Sequence, residues 1–171
     1  MSLNLYKYHT NPETLTGFDL ATDKVPYLAW DHFRANHEEL RKREHVWAKS
    51  AKYSYWYAED VLRDERVEKI EDAIATDAYY SYFYAKDVLK GERVEKIEDA
   101  IATSAGFSYQ YAIYVLKGKR FEKGEDAIST SAYYSYLYAK DVIKKRLPQG
   151  EPIIRGSRWQ EDYEQEFGIK L

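Results

Sequence analysis

Four histidines are the residues best suited to metal or acid–base chemistry, and all lie early in the chain: His9, His32, His37 and His45. The stretch HFRANHEEL sets His32 and His37 five residues apart, with two glutamates behind them. A zinc-protease helix needs histidines at i and i+4 with the glutamate between them, so that both imidazoles face one ion. A spacing of five turns the two rings about 140° apart on a helix, and the ligands diverge. His37 with Glu38 or Glu39 could serve only a site completed elsewhere. The expectation is no metal site, with these histidines on the surface of a capping segment.

Other chemistry fares no better. There is no cysteine, which excludes disulfides, thiolate zinc sites and thiol nucleophiles. No glycine-rich phosphate loop and no G-x-S-x-G occurs. Acidic pairs recur at Glu71-Asp72, Glu98-Asp99 and Glu125-Asp126, where carboxylates suit a helix N-terminus and solubility. Catalysis uses one unique constellation, and a motif copied three times is a poor candidate. The sequence therefore predicts no enzyme and no cofactor. Basic residues alternate with acids (ERVEKIED, KGKRFEKGED) and read as solvated faces. The densest basic clusters are Lys117, Lys119, Arg120 and Lys123, and then Lys140, Lys144, Lys145 and Arg146. The formal net charge of −3 supplies no bulk attraction for DNA or an anionic membrane.

The remaining chemical excess is tyrosine. The chain holds 18, and fourteen fall between Tyr53 and Tyr138. Internal repetition is the cause. EHVWAKSAKYSYWYAEDVLRDERVEKI (44–70), EDAIATDAYYSYFYAKDVLKGERVEKI (71–97), EDAIATSAGFSYQYAIYVLKGKRFEKG (98–124) and EDAISTSAYYSYLYAKDVIKKRLPQG (125–150) are four copies of one 27-residue unit. The last is one residue short, lacking the glycine after its lysine. Weaker echoes, such as LATD at 20–23, make residues 1–43 a degenerate first unit and residues 151–171 a C-terminal cap. Terminal units of an array must present a polar outer face.

The elements that position these residues follow from the unit. Thr76-Asp77, Thr103-Ser104 and Thr130-Ser131 suit helix N-caps. A helix runs from about Ala78 to Lys90, and Gly91 and Gly118 supply the left-handed residue that ends it. The preceding helix carries Val94, Ile97 and Ile101 at i, i+3, i+7. The predicted fold is all-α, a short α-solenoid of stacked αα-hairpin repeats with degenerate caps at both ends. Projected at about 100° per residue, the second helix puts Ala78, Ser81, Tyr82, Ala85, Val88 and Leu89 on its packed face, with Tyr80 and Tyr84 on the shoulder. A tyrosine buried there needs a partner for its hydroxyl, in a carbonyl, a carboxylate or rim solvent.

Positions that recur do the packing, and positions that vary are free for a partner. The opposite face of the second helix varies: Trp56, Phe83, Gln110, Leu137 at one position, and Lys52, Tyr79, Gly106, Tyr133 four residues earlier. The third unit departs most, with Ile113 and with Tyr114 where its neighbours have Asp87 and Asp141. The candidate partner-binding residues are Trp56, Tyr79, Phe83, Gln110, Ile113, Tyr114, Tyr133 and Leu137. The alternative is that a terminal segment covers this face.

The unit A-I-A-T-[DS]-A-x-[YF]-S-Y-x-Y-A-x-x-V-[LI]-K-G-x-R-[FV], over residues 44–154, resembles short helical repeats found in tandem in uncharacterised proteins of tailed bacteriophages and bacteria. The resemblance implies no activity. It suggests a phage accessory protein acting on a host factor in the bacterial cytoplasm. Residue patterns and resemblance together lead to a non-enzymatic binding module for a protein partner, of unknown oligomeric state. The alternative is a single-stranded nucleic-acid binder using tyrosine stacking and the Lys/Arg clusters. No run approaches the apolar length of a membrane span.

Overall fold

The computed structural model describes residue 30, residues 35–63 and residues 65–171. His9, His32, the LATD at 20–23 and most of the degenerate unit at 1–43 lie outside the described residues. Among the described residues every regular element is a helix and none is a strand. No helix there is long and apolar enough to cross a membrane. The chain divides into two compact units, residues 1–73 and 74–171.

The first unit holds α1 (His37–Lys42), α2 (Glu44–Trp47), α3 (Ala51–Tyr57) and all but the last residue of α4 (Glu68–Ile74). The Asn36 side chain caps α1 by accepting from the Glu39 N–H. Glu38 and Glu39 in its first turn and Arg41 and Lys42 in its last complement the helix dipole. The core gathers on Trp47, which is fully buried and donates its indole N–H to the Leu40 carbonyl at 2.9 Å. Trp30 meets Trp47 edge-on, with ring centres 5.3 Å apart.

The second unit comprises α5 (Ala78–Phe83), α6 (Glu95–Ile101), α7 (Ala105–Gln110), α8 (Glu125–Ile128), α9 (Ala132–Tyr138), α10 (Glu151–Ile154) and α11 (Gln160–Phe167). Asp77, Ser104 and Ser131 cap α5, α7 and α9 with their side-chain oxygens, as their positions predict. Each of these helices packs most extensively on the first helix of the following unit: α5 on α6, α7 on α8, α9 on α10. The 27-residue frame drawn from glutamate to glutamate thus marks sequence phase and cuts through the closest helix pairs. α5 also lies beside α7, and α7 beside α9. Ser81, Ser108 and Ser135, all fully buried, donate their hydroxyls to the carbonyls of Ile74, Ile101 and Ile128 at 3.0–3.1 Å. These bonds pin each helix to the end of the one before it.

The second helices do not stay α-helical to their ends. Each passes into a π-helical turn, at Ala58–Leu62, Tyr84–Val88, Tyr111–Val115 and Ala139–Ile143. Bonds from the Leu89 and Leu116 N–H groups reach back five residues to the Tyr84 and Tyr111 carbonyls, both at 2.9 Å. Such a turn holds more residues than an α-turn and shifts the angular position of those beyond it. The straight projection misplaces one position. Tyr84, Tyr111 and Tyr138, expected on the shoulder, are the most deeply buried rings of the second unit together with Phe121 and Tyr163. Val88 is half-buried, while its counterparts Val61, Val115 and Val142 are buried as expected of the packed face.

The helix exits also differ from expectation. Gly91 and Gly118 do have positive φ, at 97° and 78°, but Lys90 and Lys117 before them are already left-handed at 52° and 57°. Arg63 and Lys144, at 55° and 54°, occupy the same position where no glycine follows. A left-handed L-residue costs roughly 1–2 kcal/mol. A cation at a helix C-terminus recovers part of that against the dipole, roughly 0.3–1 kcal/mol at an exposed site.

Candidate functional site

The recurring acidic and tyrosine residues are brought together inside the fold. Arg93 grips Glu98 through two bonds, Nε to Oε1 at 2.5 Å and Nη2 to Oε2 at 2.9 Å, and the Tyr111 hydroxyl donates to the same Oε1 at 2.7 Å. Arg120, Glu125 and Tyr138 repeat the arrangement, the hydroxyl donating at 3.1 Å. Arg146, Glu151 and Tyr163 repeat it again. In the first unit Arg66 clamps Glu71, and Tyr57 donates to Glu44 at 3.2 Å. Tyr138 and Tyr163 also accept, from the buried backbone N–H groups of Phe121 (2.7 Å) and Leu147 (2.8 Å).

Glu71, Glu98 and Glu125 are therefore buried, against the expectation of solvated carboxylates at helix starts, while Asp72, Asp99 and Asp126 are exposed. The correction has a physical cause. A buried carboxylate is tolerated when bidentate arginine and a phenol satisfy its lone pairs. The phenols respond in turn: burial, aided by the neighbouring carboxylate, pushes Tyr57 and Tyr163 up to about 12 and Tyr111 and Tyr138 higher still. The Arg146 hydrogen bonds hold the Glu151 carboxyl below its usual value. This clamp recurs with the repeat and joins each second helix to the arginine and glutamate before it.

The outward face is a different matter. Between neighbouring units, rings pair at corresponding positions: Tyr82 stacks on Phe107 at 5.6 Å, Tyr109 meets Tyr134 at a tilt at 6.0 Å, and Tyr136 stacks on Trp159 at 5.9 Å. Beyond this layer Tyr79, Tyr114 and Tyr133 are 48%, 56% and 40% exposed. Tyr79 leans on Phe83, 4.7 Å away, and on Phe107, 5.7 Å away. Tyr133 leans on Trp159 at 5.0 Å. In the unit between them the same position is Gly106. A Cβ there would come within 3.1 Å of the Tyr134 hydroxyl oxygen, so the glycine lets that phenol lie over the backbone.

The ladder positions are less open than the variation suggests. Phe83, Gln110, Ile113 and Leu137 are half-buried. Trp56, in the first unit, is half-buried against Trp30 at 5.8 Å and Tyr53 at 5.6 Å, with the Lys52 ammonium 4.6 Å over its ring. Trp30 thus lies against Trp56, and in the second unit Trp159 lies against Tyr133. The structure joins Tyr79 to Phe83 directly and leaves Tyr114 apart, on the π-helical turn.

Half of the cations of the two sequence clusters are paired with carboxylates. Arg120 is held by Glu125, Lys123 by Asp99 at 2.6 Å, and Arg146 by Glu151, while Lys140 lies 3.5 Å from Glu166. A continuous basic groove is not built from them. His37 and His45 are exposed, and no group of three or more His, Asp or Glu that could hold a metal is gathered among the described residues.

Two residues the sequence reading missed are Trp159 and Tyr163. Glu151 and Ile154 keep the phase of Glu125 and Ile128, but the Glu151–Tyr163 spacing is 12 where Glu98–Tyr111 and Glu125–Tyr138 are 13. A one-residue deletion between Ile154 and Trp159 hides a further copy of the ring and clamp positions in the cap. Comparison with family models, curated proteins and solved structures gives no match for this chain.

Proposed function

We propose that this chain is a non-enzymatic helical-repeat module, a short α-solenoid of stacked hairpins, that engages a protein partner through the outer face of its second helices. The observation that carries the reading is the exposure of Tyr79, Tyr114 and Tyr133 at positions where packing does not call for a ring. Large rigid aromatics lose little side-chain entropy on binding and supply much of the energy in protein interfaces. The clamp supports the reading from the other side, since the repeat satisfies its buried polar groups across its own junctions and leaves its outer face free to vary. A phage accessory role on a host factor in the bacterial cytoplasm accords with the repeat resemblance.

The test is affinity capture from nuclease-treated bacterial lysate with the parent chain and with Tyr79→Ser/Tyr133→Ser. A partner held by this face is captured by the parent, survives nuclease and is lost from the variant, while both proteins melt at the same temperature. A partner released by nuclease supports the nucleic-acid alternative instead. A partner retained by the variant moves the interface elsewhere.

A further inference from the structure

Within the second unit a surface groove of about 430 Å³ opens at the C-terminal ends of two adjacent second helices. Lys86, Lys90 and Lys117 line it with Tyr114 and Gly91, and Asp87 is its acid. The lining carries three cations against one anion; Lys86 lies 3.3 Å from Asp87, and Lys117 donates to the Tyr114 carbonyl at 3.0 Å. Part of that imbalance comes from a single substitution in the repeat. One unit later the residue at the position of Tyr114 is Asp141, and Asp141 accepts the hydroxyl of Tyr109 at 2.7 Å. With a ring at 114, the corresponding Tyr82 makes no such bond, although it is only 4% exposed. Burial raises the pKa of Tyr82, and the nearby Tyr114 and Asp87 add to the rise. A carboxylate that belongs to the repeat is thus missing from the groove, and its replacement is a ring 56% exposed.

We infer that this groove receives a carboxylate-bearing segment of the protein partner, an acidic peptide with an apolar residue beside its acid. The peptide carboxylate enters among Lys86, Lys90 and Lys117, supplying the charge that Asp provides in sibling units, and the neighbouring apolar side chain lies on Tyr114. Lysines suit this task as compact point charges on flexible stems. The positions of Lys90 and Lys117 at left-handed helix exits fix where those stems leave the backbone. A nucleic acid would need cations continuing along the surface to track its phosphates. The arginines of neighbouring turns, Arg93 and Arg120, are held on Glu98 and Glu125 and do not continue the line of lysines. This inference rests on the protein-partner reading and names the chemistry of one contact in it.

The experiment uses the full chain and a fluorescein-labelled peptide of glutamates flanking one leucine, followed by fluorescence anisotropy. Tyr114→Asp restores the residue of the sibling units and gives Tyr82 an acceptor, so the variant folds at least as well as the parent. Its affinity for the peptide falls by about tenfold or more, the scale of a charge placed against a buried or half-buried anion contact. Lys119→Ala, an exposed change outside the groove, shifts net charge equally and leaves affinity within about twofold, as expected of a rim charge. No binding by the parent, or equal loss in both variants, overturns the proposal. So does displacement of the peptide by oligothymidylate at lower concentration than by unlabelled peptide. If peptide binding fails while partner capture still depends on Tyr79 and Tyr133, the groove assignment alone is wrong. If that dependence fails as well, the aromatic face is wrong too.

Discussion

Exchanging core residues between two adjacent units gives the sharpest test of how the repeat is built. Val94 and Ile97 in one unit correspond to Phe121 and Gly124 in the next, and Val94, Ile97 and Phe121 are all buried. A Cβ at Gly124 would lie 2.5 Å from the Ser108 Oγ and 2.6 Å from the Phe121 Cδ1. Ser108 cannot swing away without breaking its 3.1 Å bond to the Ile101 carbonyl. Gly124→Ile alone, which sequence alignment of the units would call conservative, therefore costs about 3 kcal/mol, the upper end for overpacking. Phe121→Val alone costs about 2–3 kcal/mol, somewhat less than truncating a buried ring to alanine. Together they recreate the pairing of the previous unit. The double variant should lose no more than about 2 kcal/mol, a coupling of roughly 3 kcal/mol between touching residues. Urea denaturation of the four proteins, compared at constant slope, measures this directly. Additive losses, or a Gly124→Ile variant as stable as the parent, would refute the argument that the two positions share one volume.

Tyr138→Phe removes both the donor to Glu125 and the acceptor for the buried Phe121 N–H, and should cost about 1–3 kcal/mol of stability in the same assay. Alkaline titration gives a second check. The phenols of Tyr57 and Tyr163 keep their protons in the folded chain to about 12, whereas unfolded phenols lose theirs near 10. Their contribution to stability is therefore full below pH 10 and is lost as pH rises through 12. Tyrosinate absorbance should lag and then rise together with the loss of helical ellipticity; a simple titration at pH 10 with the helix intact would show these rings to be exposed. Trp56→Ala should lower stability by about 2 kcal/mol, since the ring packs on Trp30 and Tyr53. Tyr114→Ala, on an exposed ring, should change the melting temperature by no more than a few degrees, within the usual range for surface substitutions.

The repeat, its helical character and its caps at Asp77, Ser104 and Ser131 were legible because they depend on local residue types at fixed spacing. The buried glutamates were legible in principle. Arginine stands five residues before glutamate at Arg66, Arg93, Arg120 and Arg146, and that recurrence marks a specific pair rather than a solvated charge run. Tyr84 and its counterparts were not legible from a helical projection, because the glutamates that hold Tyr111 and Tyr138 inside lie on other helices, which a projection of one helix does not contain. The candidate surface divides the same way. Variation between units pointed to Tyr79, Tyr114 and Tyr133, which are exposed, and equally to Trp56, against which Trp30 lies. Composition at a position cannot report what a distant segment lays over it.

The clamp bears on how such a chain lengthens or shortens. Arg120 and the Phe121 N–H face forward, to Glu125 and to the Tyr138 hydroxyl, while Glu98 faces back to Arg93. Copying residues 98–124 once more in the gene would set Arg120 against a new Glu98, the Phe121 N–H against a new Tyr111, and Tyr109 against a new Phe107. Deleting them would set Arg93 against Glu125 and Tyr82 against Tyr134. In each case every clamp partner at the junction is already encoded, so unequal recombination between copies yields chains of three, four or five units with no orphaned charge to repair. Copy number then becomes a trait that can drift or be selected separately from the outer residues each copy carries.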